Sequence, residues 1–268
     1  MDTLPWTVVD AHTHIGRLPR HVHHTYSVAD LVRALDAEGV RFALCSSASS
    51  MTVSQAYGTR EMLDAAAAYP DRLGTMIWIR PRDPAWREDA ERAVAERRVY
   101  GIKLHPRLDF YAVDYESLAD VWEFARETRL PIVTDTSDAQ EGIFAAERYA
   151  PLLERFHEVT LVLFHFNIGR PLGGIVTAKR YPNAYVDTCG VPPEAIEVGL
   201  DVLGPERILF GTDAPIGWDL GRPYPPGLQR PLRTYRQQIE PLRKLIPSEA
   251  DLARVLAGNA VRLFGISL

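Results

Sequence analysis

Eight short apolar runs, rich in β-branched residues, recur along the chain about every 29 residues, the length of a strand, a helix and two short loops. They are Val8–Val9, Phe42–Cys45, Thr75–Ile79, Tyr100–Leu104, Ile132–Thr134, Leu161–Phe164, Tyr185–Val186 and Ile208–Phe210. The segments between them carry apolar residues three and four apart, as in Val28, Leu31, Val32, Leu35 and in Leu118, Val121, Trp122, Ala125. That is the spacing of a helix with one buried face. Continuous apolar strands alternating with amphipathic helices predict a parallel sheet covered on its outer side. Eight such units make a (β/α)8 TIM barrel, a fold whose usual size the 268 residues match. A doubly wound open sheet would more often carry a Gly-rich phosphate turn after its first strand, where this chain has Asp10-Ala11-His12-Thr13-His14. With no linker or shift in composition, residues 1–268 read as one barrel domain.

Composition narrows the partners. The formal charge of -5 lacks the basic excess that phosphate-backbone binding requires, so nucleic acid is not expected. No apolar run reaches the roughly 18 residues of a membrane span, and the N-terminus lacks the pattern of a secretory signal. A cytoplasmic protein acting on a small-molecule substrate follows, with a homo-oligomer left open. Cys45 and Cys189 have neither disulfide nor metal-finger spacing and read as small buried apolar residues.

In a barrel, chemistry gathers where the strands end, because the loops there surround one cavity. His12 and His14 end the first run, and a spacing of two in a strand sends both imidazoles to one side, as a metal-ligand pair or as hydrogen-bonded core histidines. Lys103 and His105 follow the same rule after the fourth run. A lysine buried there needs an anion or a modification. It could hold a substrate carboxylate, polarise a carbonyl, be carbamylated into a bridging ligand, or pair with a neighbouring Asp. Asp135 ends the fifth run, His165 the sixth and Asp213 the eighth. Each alone could be a helix cap. Together they give the mouth three imidazoles on metal-favouring positions, two carboxylates and a lysine, a set without thiolate that suits Zn2+ and also Mn2+, Fe2+ or Co2+.

Trp218, Trp78, Tyr111 and Phe166 stand near the mouth and point to a ring-shaped ligand, although aromatics at strand ends more often belong to the core. His21, His23 and His24 lie in a polar loop after the first run. The segment Ala214–Arg230, with seven of its 17 residues Gly or Pro, reads as a lid over the mouth.

Read in order, these pieces resemble the amidohydrolase superfamily, in the branch that holds metal-dependent hydrolases, lactonases and aminocarboxymuconate semialdehyde decarboxylase-like enzymes. The resemblance spans nearly the whole chain. It is carried by Val9-Asp10-Ala11-His12-Thr13-His14, Gly101-Ile102-Lys103-Leu104-His105-Pro106, Leu130-Pro131-Ile132-Val133, Leu163-Phe164-His165, Tyr181 through Asp187, Ile208 through Pro215 and Gly258 through Gly265. It implies a divalent metal held by His12, His14 and Asp213, with His165 near or on it. Family members usually end the fifth strand in a histidine ligand, whereas this chain reads Thr134-Asp135-Thr136, so Asp135 is expected as a substituted ligand. The implied activity is metal-dependent hydrolysis of an amide, ester or lactone. In it Asp213 moves the proton, His165 steadies the oxyanion or completes the ligand set, and Lys103 and His105 bind an anionic group. A metal-dependent non-oxidative decarboxylase would use the same residues, and a metal-free binding protein on this scaffold is the third reading.

Overall fold

The structure is a computed structural model and describes residues 4–17, 25–138, 142–214 and 234–268. Its strands are β1 (Val9–Arg17), β2 (Thr25–Tyr26), β3 (Phe42–Ser47), β4 (Leu73–Trp78), β5 (Val99–Leu104), β6 (Ile132–Ser137), β7 (Leu161–Ile168), β8 (Ala184–Asp187) and β9 (Ile208–Leu209). The eight expected runs are β1 and β3 to β9. They pair in parallel and in sequence order, while β2 adds a short antiparallel pairing to the far end of β1. That pairing follows a polar loop and left no apolar signal to read. The sheet closes on itself where Ala11 N–H donates to the Phe210 carbonyl, Asp213 N–H to the His12 carbonyl and His14 N–H to the Ala214 carbonyl. The protein is therefore a (β/α)8 barrel of one domain. No described helix is long and apolar enough to cross a membrane.

Two apolar layers hold the barrel. Val9, Ala11, Leu44, Met76, Val133, Val162, Phe164 and Leu209 fill its interior together with Ala257, Ala260 and Phe264 from the C-terminal helices. Val8, Ile15, Ile77, Ile102, Leu161 and Ile208 face outward into the helical layer, where Leu31, Leu35, Val121 and Trp122 meet them. The closing Gly258–Gly265 motif thus helps fill the barrel interior, and Asn259 Nδ2 fixes its helix by donating to the Pro205 and Ile208 carbonyls, both at 2.7 Å. Asn259→Ala removes both donors from a buried position. It is expected to cost about 1–3 kcal/mol, read as a lower urea midpoint with an unchanged slope.

Two irregularities aim the strands at the site. Strict alternation from Val9 and Ala11 would put Ile15 inside, yet Ile15 belongs to the outer layer. The change of phase coincides with a shift of register between Asp10 and Thr13. A bulge of this kind re-aims side chains, and here it leaves His12 and His14 with ring centroids 5.2 Å apart. In β7 the register shifts again, and His165, Phe166 and Asn167 have φ of 62, 57 and 94°. Left-handed backbone at such residues costs about 1–3 kcal/mol each and persists only where neighbours over-determine it. The His165 N–H is held by Asp187 Oδ1 at 2.7 Å, and Asn167 bridges the Ala146 N–H and the Arg170 carbonyl.

Candidate metal centre

His12, His14 and Asp213 meet at one end of the barrel. Asp213 Oδ1 lies 3.2 Å from His14 Nε2 and 3.6 Å from His12 Nε2, and one donor atom from each of the three falls within 4.8 Å of the others. The proximity follows from barrel closure, since the backbone bonds joining β1 to the segment after β9 pass through His12, His14 and Asp213 themselves. Asp213 has φ of 60°, a left-handed conformation that Asp adopts more readily than most residues.

The far side of each imidazole is fixed. His12 Nδ1 donates to Asp187 Oδ2 at 2.9 Å, and His14 Nδ1 bonds Ser46 Oγ at 2.9 Å. Asp10, wholly buried, accepts from the His12 N–H, from the Thr212 N–H and hydroxyl, and from the Tyr235 hydroxyl at 2.8 Å, tying β1 to the Asp213 segment. Burial pushes the carboxyls of both Asp10 and Asp187 up to about 7. His12 is driven well below the ordinary histidine range by burial and by the charges of Lys103, His165 and His14, so its ring is neutral. With Nδ1 carrying the proton, Nε2 presents a lone pair, and that atom is buried with no hydrogen-bond partner. A bare imidazole nitrogen between a second imidazole and a carboxylate, with Asp187 behind it, is the arrangement of a metal-ligating histidine and its orienting carboxylate. The residues present fit a divalent cation.

Asp135 has different neighbours. It forms an ion pair with Lys103 Nζ, and its other oxygen lies 3.3 Å from His105 Nε2 and 3.2 Å from His165 Nε2. Burial would raise this carboxyl, but His105, Lys103 and His165 outweigh it and hold it well below the usual range. His105 is pushed down to about 3, chiefly by burial, and stays neutral; its Nδ1 accepts from the Leu108 N–H, which leaves Nε2–H to face Asp135. Burial opposes charge on His165, yet the side chains of Cys189 and Asp135 outweigh it and push the imidazole well above its ordinary range.

The geometry therefore brings together His12, His14 and Asp213, and gives the other candidate residues surroundings that the sequence did not suggest. Asp135, expected as a substitute ligand, is committed to Lys103, His105 and His165 and falls in neither group of donors that could hold an ion among the described residues. Lys103 and His105, expected to face a substrate anion, face Asp135, and Lys103 Nζ also sits 4.3 Å from the Phe164 ring. Phe166 packs in the outer core rather than at the mouth, because the backbone turn at His165 points it away. Trp78 and Tyr111 are buried too, Trp78 stacked on His105 and bonded to Asp109. Trp218, His21, His23, His24 and the expected lid beyond Ala214 lie outside the described residues. Asp187 was readable, since it ends the seventh run as Asp135 ends the fifth. Ser46 carried no such signal.

The sequence matches the Amidohydro_2 family, described as Amidohydrolase, over residues 9–266. The chain belongs to the amidohydrolase family. No curated protein matches it. Among solved structures, 5-carboxyvanillate decarboxylase from Sphingomonas paucimobilis aligns with TM-score 0.73 and 16% identity, covering 98% of this chain and 100% of that one. A zinc-bound amidohydrolase from Burkholderia multivorans aligns with TM-score 0.69 and 16% identity, covering 97% and 100%. A probable 2-pyrone-4,6-dicarboxylic acid hydrolase from Acinetobacter baumannii aligns with TM-score 0.67 and 14% identity, covering 97% and 100%. At these identities the likeness is one of fold.

Proposed function

We propose that this amidohydrolase is a metal-dependent hydrolase that opens an amide, ester or lactone bond in a small anionic or ring-containing substrate. The observation that carries the reading is the unpartnered, buried His12 Nε2 beside His14 Nε2 and Asp213 Oδ1. His12, His14 and Asp213 would hold the cation, Zn2+ in preference to Mn2+, Fe2+ or Co2+, and His165 would join them only on giving up its Nε2 proton and its contact with Asp135. The cation supplies Lewis acidity, polarising a substrate carbonyl and making water acidic enough to attack near neutral pH.

The chain's own groups do the rest. Asp213, whose side chain is 22% exposed, can take the proton from the attacking water and pass it to the leaving group. Asp135 cannot share that work, because Lys103, His105 and His165 already engage its oxygens. Lys103, buried and paired with Asp135, fixes that carboxylate beside His105 and His165. Asp187 keeps His12 in the tautomer that frees Nε2. Asp187→Ala is expected to weaken cation retention by about 10–100-fold, measured by competition with a chelator.

Decarboxylation is the second reading, favoured by the neighbour described as 5-carboxyvanillate decarboxylase. Turnover of a panel of lactones, esters, amides and aromatic carboxylates, followed in parallel by acid release and by carbon dioxide, decides between them. The proposal expects acid from a lactone, ester or amide without carbon dioxide. Carbon dioxide from a carboxylate, with every lactone, ester and amide inert, would replace hydrolysis by decarboxylation.

A further inference from the structure

We propose that Cys189 is a further ligand of the centre, so that the cation is held by a thiolate as well as by imidazole and carboxylate. The inference rests on the metal-centre reading above. Cys189 follows β8 at the same end of the barrel and is 2% exposed. Its Sγ, a ring nitrogen of His12 and a ring nitrogen of His165 all lie within 4.8 Å of one another. This second group of three donors shares His12 with the His12–His14–Asp213 group, so a single ion near His12 is within reach of both.

Three further observations support a ligand at this place. His12 Nε2, on a side chain almost wholly buried, has no hydrogen-bond partner. The His12 and His165 ring centroids are 5.1 Å apart, close enough to serve one ion. The Cys189 peptide is held in place independently of any ion: its carbonyl accepts from His165 Nδ1 at 2.9 Å, and Gly190 turns the chain beside that ring with φ of 65°. Cys45, the other thiol, is equally buried on β3 but belongs to no such group among the described residues.

Thiolate shifts the preference of an imidazole and carboxylate site towards Zn2+ and away from Mn2+. Ligation exchanges the S–H bond for a sulfur–metal bond and releases the proton to solvent, with no change of oxidation state.

Cobalt(II) is the probe. Titrated into metal-free full-length protein, it is expected to give visible ligand-field bands together with a thiolate-to-cobalt charge-transfer band in the near ultraviolet. Cys189→Ser should abolish the charge-transfer band and keep the ligand-field bands, while Cys45→Ala keeps both. Ligand-field bands without charge transfer in the wild-type protein, or charge transfer that survives Cys189→Ser, overturn Cys189 as a ligand and leave the metal centre standing. No cobalt bands at all overturn the centre and the cysteine together. X-ray absorption of the zinc-loaded wild-type protein needs no variant: a sulfur shell at about 2.3 Å, beyond the nitrogen shell at about 2.0–2.1 Å, is expected, and nitrogen and oxygen scatterers alone overturn the proposal.

Discussion

Asp213→Asn is expected to leave the barrel folded and to lower turnover by about 10²–10⁴-fold, the usual consequence of losing a general base. Asn suits the left-handed backbone at this position, where φ is 60°, as readily as Asp does. The backbone bond from residue 213 to the His12 carbonyl does not involve the side chain and survives. The amide retains one oxygen at the place where Asp213 Oδ1 meets both histidines, yet it accepts no proton near neutral pH. Metal content separates the two jobs of the residue. A variant that keeps its cation and is nearly inactive shows the proton-transfer role, and one that loses both shows ligation. Near-normal turnover would refute the mechanism.

Asp135→Ala is expected to have the largest effect on stability, a loss of about 3–5 kcal/mol, because it strands the buried Lys103 ammonium without its anion. Asp135→His, which restores the residue usual in the family, should do little better. An imidazole cannot neutralise Lys103, and it would stand beside His105 and His165, whose Nε2 atoms already converge on this point. The double variant Lys103→Met with Asp135→Leu removes both charges and should recover much of the stability lost in Asp135→Ala. Urea unfolding of the three variants measures this directly. If Asp135→Ala is as stable as the parent, the carboxylate is not the anchor of Lys103 described here.

The fold was legible because a parallel barrel buries its strands on both faces, and each strand announces itself as a continuous apolar run. The pair His12 and His14 was legible from spacing alone, and Asp213 from its place after the last run. What the sequence concealed depends on partners far apart in the chain. Asp135 offered a carboxylate where a ligand is usual, but only the folded sheet, which pairs Lys103 with Val133 and so brings Asp135 alongside, shows that its charge is already matched. Phe166 looked like a mouth residue because it follows His165 at the end of a strand, and the left-handed turn there carries it into the outer layer. Cys189 read as a small apolar residue for want of a second cysteine nearby, yet its neighbours are histidines contributed by β1 and β7.

The central claim is that this barrel end holds a divalent cation through His12, His14 and Asp213. Elemental analysis of gently purified full-length protein, paired with reconstitution of the chelator-treated protein, tests it most directly. About one zinc, manganese, iron or cobalt per chain is expected, falling sharply in a His12→Ala, His14→Ala double variant that remains folded. Protein that carries none of these metals, takes up none on reconstitution and gains no activity from them would contradict the account.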